Sequence, residues 1–277
     1  MMELGIFSKH IERPVMEETF DAIRFHGLTC VQFNFETAGL DTMPSTIEKS
    51  VCNHIREQME LRGVSLAAIS GTFNMIHPDL YERQQGIERL QTMIHACPDL
   101  DNSVITLCTG TRDPMHMWNH HPDNNAPEAW DDLIESLEQV LPHAEKNNVI
   151  LAFEPEVANV VDSCPKARRL LDQINSPHLG VVIDGANIYH KGELPIMEDL
   201  LYEAFDLLSD DIALAHAKDL DHDGEAGNLA AGTGLLDYDL YLSLLSKLET
   251  PVPLILHGLE EEQVPDSIAF LKDTLEN

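Results

Sequence analysis

VILAFEPE, residues 149–156, is the stretch that decides how the chain is read. It begins as an apolar run of the kind that forms a strand buried on both faces. It ends in two carboxylates, Glu154 and Glu156, separated by Pro155. Residues two apart on a strand point to the same side, so extended geometry would aim both acids at one place. Pro155 has no N–H to give to a ladder and marks where pairing stops. A buried strand that carries its acids at the C-terminal tip suits a parallel α/β architecture, in which active sites are built at that end.

The pattern recurs downstream. LGVVID, residues 179–184, is an apolar strand ending in Asp184, and IALAHAKD, residues 212–219, ends in His216, Lys218 and Asp219. VPLILHG, residues 252–258, ends in His257. Glu154, Asp184 and His216 follow one another at intervals of about 30 residues, the length of one strand–helix unit. Four successive tips thus offer Glu154, Asp184, His216 and His257, a donor set suited to one divalent metal ion.

The same alternation continues toward both ends. Leu4 to Phe7, Cys30 to Phe35, Val64 to Ile69 and Ser103 to Cys108 read as the four earlier strands. Between them lie helical patterns over Val15–His26, Pro44–Arg62 and Leu80–Cys97, the second with Ser45 and Glu48 at capping-box spacing. A fourth helix covers Ala129–Asn147, and four more cover Pro165–Ile174, Leu194–Leu208, Asp237–Leu248 and Pro265–Leu275. The loop after Thr109-Gly110-Thr111-Arg112 exceeds a dozen residues and carries His116, Trp118, His120 and His121. Such a loop is usually functional or mobile. Eight strands alternating with eight helices, without a linker-like break, predict an α/β fold with one (β/α)8 barrel domain over residues 1–277. A doubly wound open sheet is the alternative, weakened by the lack of a GxGxxG after the first strand.

Composition bounds the partners. The 277 residues hold 48 Asp and Glu against 17 Lys and Arg, a formal charge of −31. That field opposes nucleic acid phosphates and anionic membranes, so neither is an expected partner. No apolar run approaches the ~20 residues of a membrane span, and the N-terminus has no signal-like apolar region. The five cysteines have neither CxxC pairing nor zinc spacing, which suggests free thiols in a reducing compartment. A cytoplasmic location is the expectation. Self-association as a homo-oligomer is left open, since an apolar helix face on a barrel often finds a symmetric partner.

FEPE at the fifth strand, Asp-x-x-Asn at Asp184–Asn187, His-x-Lys-Asp at His216–Asp219, and Gly232-Thr233-Gly234 with Asp237 together carry a resemblance. Over essentially its whole length the chain resembles the xylose isomerase-like TIM barrels, in particular the sugar phosphate isomerase/epimerase group. The resemblance implies a divalent metal ion, manganese first, with cobalt, zinc, iron or magnesium as alternatives. Its ligands would be Glu, Asp, His and Glu from strands five to eight. Glu154, Asp184 and His216 match the first three. His257 stands where the fourth Glu is expected, so either His257 ligates or Glu260 or Glu261 reaches back from the loop. Asn187 stands where some epimerases place a substrate-touching His.

The implied chemistry is proton transfer next to a carbonyl of a sugar or sugar phosphate, through a metal-stabilised enediolate. In that scheme Glu154 is ligand and acid/base, His257 or a loop glutamate is its opposite partner, and Glu156 contacts substrate or supports the tip. Lys218 is expected near the rim, holding a hydroxyl or phosphate. Arg112 and the backbone N–H groups of Thr109–Thr111 are candidates for an anionic group. A keto-polyol dehydratase would use the same first step. A barrel that binds a metal or sugar without turnover is a third expectation. Cleavage of DNA at abasic sites is a further chemistry of this fold, and the acidic charge argues against it.

Overall fold

The computed structural model describes residues 2–276. Strands β1 (Leu4–Phe7), β2 (Cys30–Phe33), β3 (Ser65–Ser70), β4 (Val104–Cys108), β5 (Ile150–Glu154), β6 (Leu179–Asp184), β7 (Ile212–Asp219) and β9 (Leu254–Leu256) form one parallel sheet. Because β1 pairs with both β2 and β9, and β6 with both β5 and β7, the sheet closes on itself. The chain is a single (β/α)8 TIM barrel, and the open-sheet alternative is excluded.

Helices α1 (Met16–Phe25), α2 (Lys49–Arg62), α3 (Leu80–Ala96), α4 (Pro127–Asn147), α5 (Cys164–Ile174), α6 (Met197–Leu208), α7 (Tyr238–Leu245) and α8 (Val264–Glu276) surround it. Their apolar faces and the outward strand residues form one continuous core. A second, smaller cluster fills the barrel interior: Phe7, Cys30, Ala68, Ala152, Val182, Leu214 and Ile255.

That interior cluster fixes the site by strand periodicity alone. Two residues beyond Cys30, Ala152, Val182, Leu214 and Ile255, on the same side of each chain, come Gln32, Glu154, Asp184, His216 and His257. The barrel therefore has an apolar plug and, above it toward the C-terminal tips, a polar layer. Register keeps that layer level: Cys108 pairs with Glu154, and Asp184 with His216.

Three elements differ from their sequence-based expectation. Helix α2 begins at Lys49 rather than Pro44, and no Ser45 capping box forms. The preceding segment is held against α3, whose Arg89 and Thr92 side chains donate to the Met43 and Ser45 carbonyls. The loop after β7 contains a short strand, β8 (Leu229–Ala230), antiparallel to the β7 tip. The last barrel strand, β9, is shorter than residues 252–258, and the intervening β8 makes it the ninth strand in chain order. Asp237 caps α7 as expected, accepting from the Leu240 N–H at 2.9 Å.

Candidate metal and sugar site

At the C-terminal end of the barrel lies a cavity of about 460 Å³. Glu154, Glu156, Asn187, His216, Lys218 and His257 line it, as do Gln32, Thr106 and, from the loops, Lys9, Met117 and Trp118. One donor atom each from Glu154, Asp184 and His216 lies within 4.8 Å of the other two. His216 Nδ1 is 3.6 Å from Glu154 Oε1 and 3.4 Å from Asp184 Oδ2.

The orientation of His216 follows from its other nitrogen. Nε2 lies 2.9 Å from Gln32 Oε1, and Gln32 Nε2 in turn donates to Thr106 Oγ1 at 3.1 Å. That donation leaves Gln32 Oε1 free to accept from Nε2–H, which in the neutral ring leaves a lone pair on Nδ1. His216 Nδ1 is buried with no hydrogen-bond partner among the described residues, and the buried Asp184 Oδ2 has the Lys218 ammonium beside it at 3.1 Å. A buried ring nitrogen left unsatisfied between two carboxylates, Glu154 and Asp184, is the condition a cation relieves. The mixed O and N donors suit manganese, iron, cobalt or zinc, and magnesium less well. These residues fit a divalent ion.

The surrounding charges are strongly coupled. Burial opposes the charge on Asp184, but the Lys218 ammonium and His216 outweigh it and hold the carboxyl below its usual range. Burial likewise opposes an imidazolium at His216, and the charges of Glu154 and Asp184 reverse that effect and raise it. Burial first, then the neighbouring Glu154 charge, lifts the Glu156 carboxyl to about 7. Glu156 accepts from the Ala158 N–H at 3.3 Å and Asn159 Nδ2 at 3.0 Å. Asn187 Nδ2 donates to Glu154 Oε1, and its Oδ1 accepts from the Gly227 N–H at 3.1 Å.

His257 does not join the three-residue cluster. Its ring lies between Phe7, at 5.4 Å between centroids, and His216, at 4.9 Å, nearly parallel to both. Burial, followed by the nearby His216 and Lys218, pushes its pKa well below the ordinary value, and its buried Nδ1 has no partner among the described residues. Neither alternative glutamate replaces it as a fourth donor. Glu261 is held by both Arg13 nitrogens at 2.6 and 2.7 Å, and Glu260 takes part in a capping box with Gln263.

Two further residues stand elsewhere than expected. Lys218 is not at the rim: it is 5 % exposed, with Nζ 3.1 Å from Asp184 Oδ2. Arg112 is outside the cavity lining; it pairs with Asp132 at 2.6 Å and donates to the Ile76 carbonyl at 3.1 Å. The Thr109–Thr111 turn has given its N–H groups away as well, Gly110 to Asn159 and Thr111 to Asn74. Sequence reasoning missed Gln32, Thr106 and Lys9. The first two were legible as single polar residues in otherwise apolar strands, in phase with the inward face; Lys9 carried no signal beyond lying just past a strand tip.

A closed parallel barrel with a Glu–Asp–His cluster at its strand tips defines a class, and the family comparison agrees. The chain belongs to the xylose isomerase-like TIM barrel family, whose model matches residues 20–274. Among solved structures it is similar to a D-tagatose 3-epimerase-like protein (15 % identity, TM-score 0.79, covering 99 % of this chain and 97 % of that one). It is also similar to the 3-keto-D-glucoside 4-epimerase YcjR from E. coli (14 %, 0.74, 99 % and 100 %). A third is the IOLI protein with a bound zinc atom (15 %, 0.76, 100 % and 98 %). At these identities the likeness is one of fold. No curated protein matches the sequence. Among the described residues no helix is long and apolar enough to cross a membrane.

Proposed function

We propose that the protein is a divalent metal-dependent isomerase or epimerase of a sugar or sugar derivative, moving a proton next to a carbonyl. The observation that carries this reading is the convergence of Glu154, Asp184 and His216, with His216 Nδ1 buried and unsatisfied, at the barrel-mouth cavity. A metal ion held by these three residues would supply Lewis-acid polarisation of the substrate carbonyl, making the adjacent C–H acidic.

The remaining work belongs to the chain. Glu154 is the base, with one oxygen oriented by Asn187. Return of the proton to the neighbouring carbon gives isomerisation, and return from the opposite face gives epimerisation. Lys218 places a positive charge beside Asp184, where it favours negative charge developing on substrate oxygens. His257, disfavoured as a cation, serves as a neutral hydrogen-bonding wall rather than a carrier of a full proton. Trp118 and Met117, from the long loop after β4, shield this chemistry from water.

The test joins metal analysis to isotope exchange. Protein prepared without chelators should hold near-stoichiometric divalent metal, and Glu154→Ala should lose it. Keto-sugars and their derivatives incubated with the metal-loaded protein in D2O should gain deuterium beside the carbonyl. Loss of water instead would assign a dehydratase. No metal uptake from added manganese, cobalt or zinc would overturn the reading.

A further inference from the structure

Lys9 immediately follows Ser8 at the tip of β1, and its ammonium lies 4.5 Å from the centre of the Phe7 ring. It lines the cavity that holds Glu154 and His216. Its backbone is fixed on both sides. The buried Ser8 hydroxyl accepts from the Asn34 N–H at 2.9 Å and from Thr37 Oγ1 at 2.8 Å, and His10 Nε2 accepts from the Gly258 N–H at 3.2 Å. The lysine is thus presented by a rigid turn.

Among the described residues Lys9 forms no ion pair and no hydrogen bond. That is notable in a chain with 48 acids and 17 Lys and Arg. The other cations near the strand tips are engaged, Lys218 by Asp184 and Arg112 by Asp132. The cavity's carboxylates also have partners of their own: Asp184 has Lys218, Glu156 has Asn159, and Glu154 has Asn187. Lys9 is therefore the cavity cation that, among the described residues, no carboxylate contacts directly, Glu154 and Glu36 acting on it only from a distance. It also stands opposite the chemistry. β1 and β5 are four strands apart around the eight-stranded barrel, so Lys9 and Glu154 line the cavity from opposite sides.

Building on the isomerase/epimerase reading, we propose that Lys9 anchors an anionic end, a carboxylate or a phosphate, of the sugar substrate. The protein would then act on acidic sugars in preference to neutral ketoses. The ammonium, supported on the Phe7 ring in an otherwise exposed side chain, is open to a charge-assisted bond with an entering anion. The long side chain suits recognition of a point charge.

The test uses calorimetric binding to the manganese-loaded protein, with unreactive polyols as probes: xylitol, xylonate and xylitol 5-phosphate. At least one anion should bind about tenfold or more tightly than xylitol. Lys9→Met should reduce that preference to about twofold and leave xylitol unchanged, and Lys9→Arg should restore most of it. Xylonate and xylitol 5-phosphate separate the carboxylate from the phosphate. Anions that bind no better than xylitol, or a preference that survives Lys9→Met, would overturn the proposal. The isomerase reading is judged separately by deuterium exchange. Exchange into neutral ketoses with no anion preference keeps that reading and rejects this one; anion preference without exchange does the reverse.

Discussion

Replacing Asp219 with Asn should release the loop that walls one side of the cavity while leaving the metal ligands in place. The Asp219 carboxylate is 1 % exposed and collects four backbone N–H groups. Oδ1 accepts from Leu220 at 2.9 Å and Leu236 at 3.0 Å; Oδ2 accepts from Gly232 at 3.1 Å and Gly234 at 2.9 Å. The loop is shaped around that carboxylate, since a Cβ on Gly234 would collide with it and with the Leu220 carbonyl. An Asn side chain has one acceptor oxygen. Whichever way it turns, its NH2 faces two of the four donors. Each buried N–H left unpaired costs about 1–3 kcal/mol, so two cost about 2–6 kcal/mol, and escape of the loop into water sets the practical loss near 3 kcal/mol. Urea unfolding monitored by circular dichroism measures it. Because the same loop carries Gly227 and Asn228 into the cavity, polyol affinity should fall while bound metal stays near the parent level. A stability loss below about 1 kcal/mol, or loss of metal together with affinity, would refute the argument that Asp219 organises the loop rather than the ligands.

Other expectations follow from the same packing. His257→Ala should weaken metal binding by about tenfold, because His216 loses the ring that fixes its plane, whereas His257→Phe should stay within about threefold; chelator competition decides, and equal losses would make His257 a ligand. Gln32→Leu removes the acceptor at His216 Nε2 and should cost about 10–100-fold in metal affinity with little change in fold, read by the same competition. Burial pushes the His10 pKa down to about 4 from 6.5. Below pH 4 both states are protonated and above 6.5 both are neutral, so the stability that neutral His10 contributes is present above about 6.5 and is lost as pH falls to 4, up to about 3 kcal/mol. Thermal unfolding across that range should slope less in His10→Gln. Burial raises the Cys30, Cys97 and Cys164 thiols to about 12 and also raises Cys52 and Cys108. A thiol reagent near pH 8 should find no reactive group in the native protein and all five after denaturation.

The barrel was legible because each strand is short, apolar and closed by a chemically distinct tip. Pro155 ends β5 after Glu154, and Asp184 and Asp219 close β6 and β7. Errors concentrated where tertiary contacts override local signals. Ser45 and Glu48 have capping-box spacing, yet α3 holds their segment outside the helix. Arg112 follows a Gly-containing turn and resembles an anion site, yet Asp132 on the following helix, α4, takes its charge. Lys218 lies deeper than its strand-tip position suggests, because sequence does not reveal that a lysine two residues past His216 is held against the buried Asp184.

His257 shows how one position can depart from a pattern and still serve it. The aligned inward positions of β5, β6 and β7 supply a carboxylate, a carboxylate and an imidazole, and the residue just past β9 supplies a second imidazole in the same phase. A carboxylate there would add a charge to a group that already holds Glu154, Asp184 and Glu156. An imidazole adds none, because burial and neighbouring cations oppose its protonation. What it adds is a flat surface, lying against His216 on one side and Phe7 on the other, with the edge of His10 against it. His216 is thereby fixed twice, in tautomer by Gln32 and in plane by His257, while Glu154 is left as the half-buried carboxylate of the cluster facing the cavity. On the proposed reading, three residues would hold the cation, and the fourth strand tip would be part of the support on which the His216 imidazole rests.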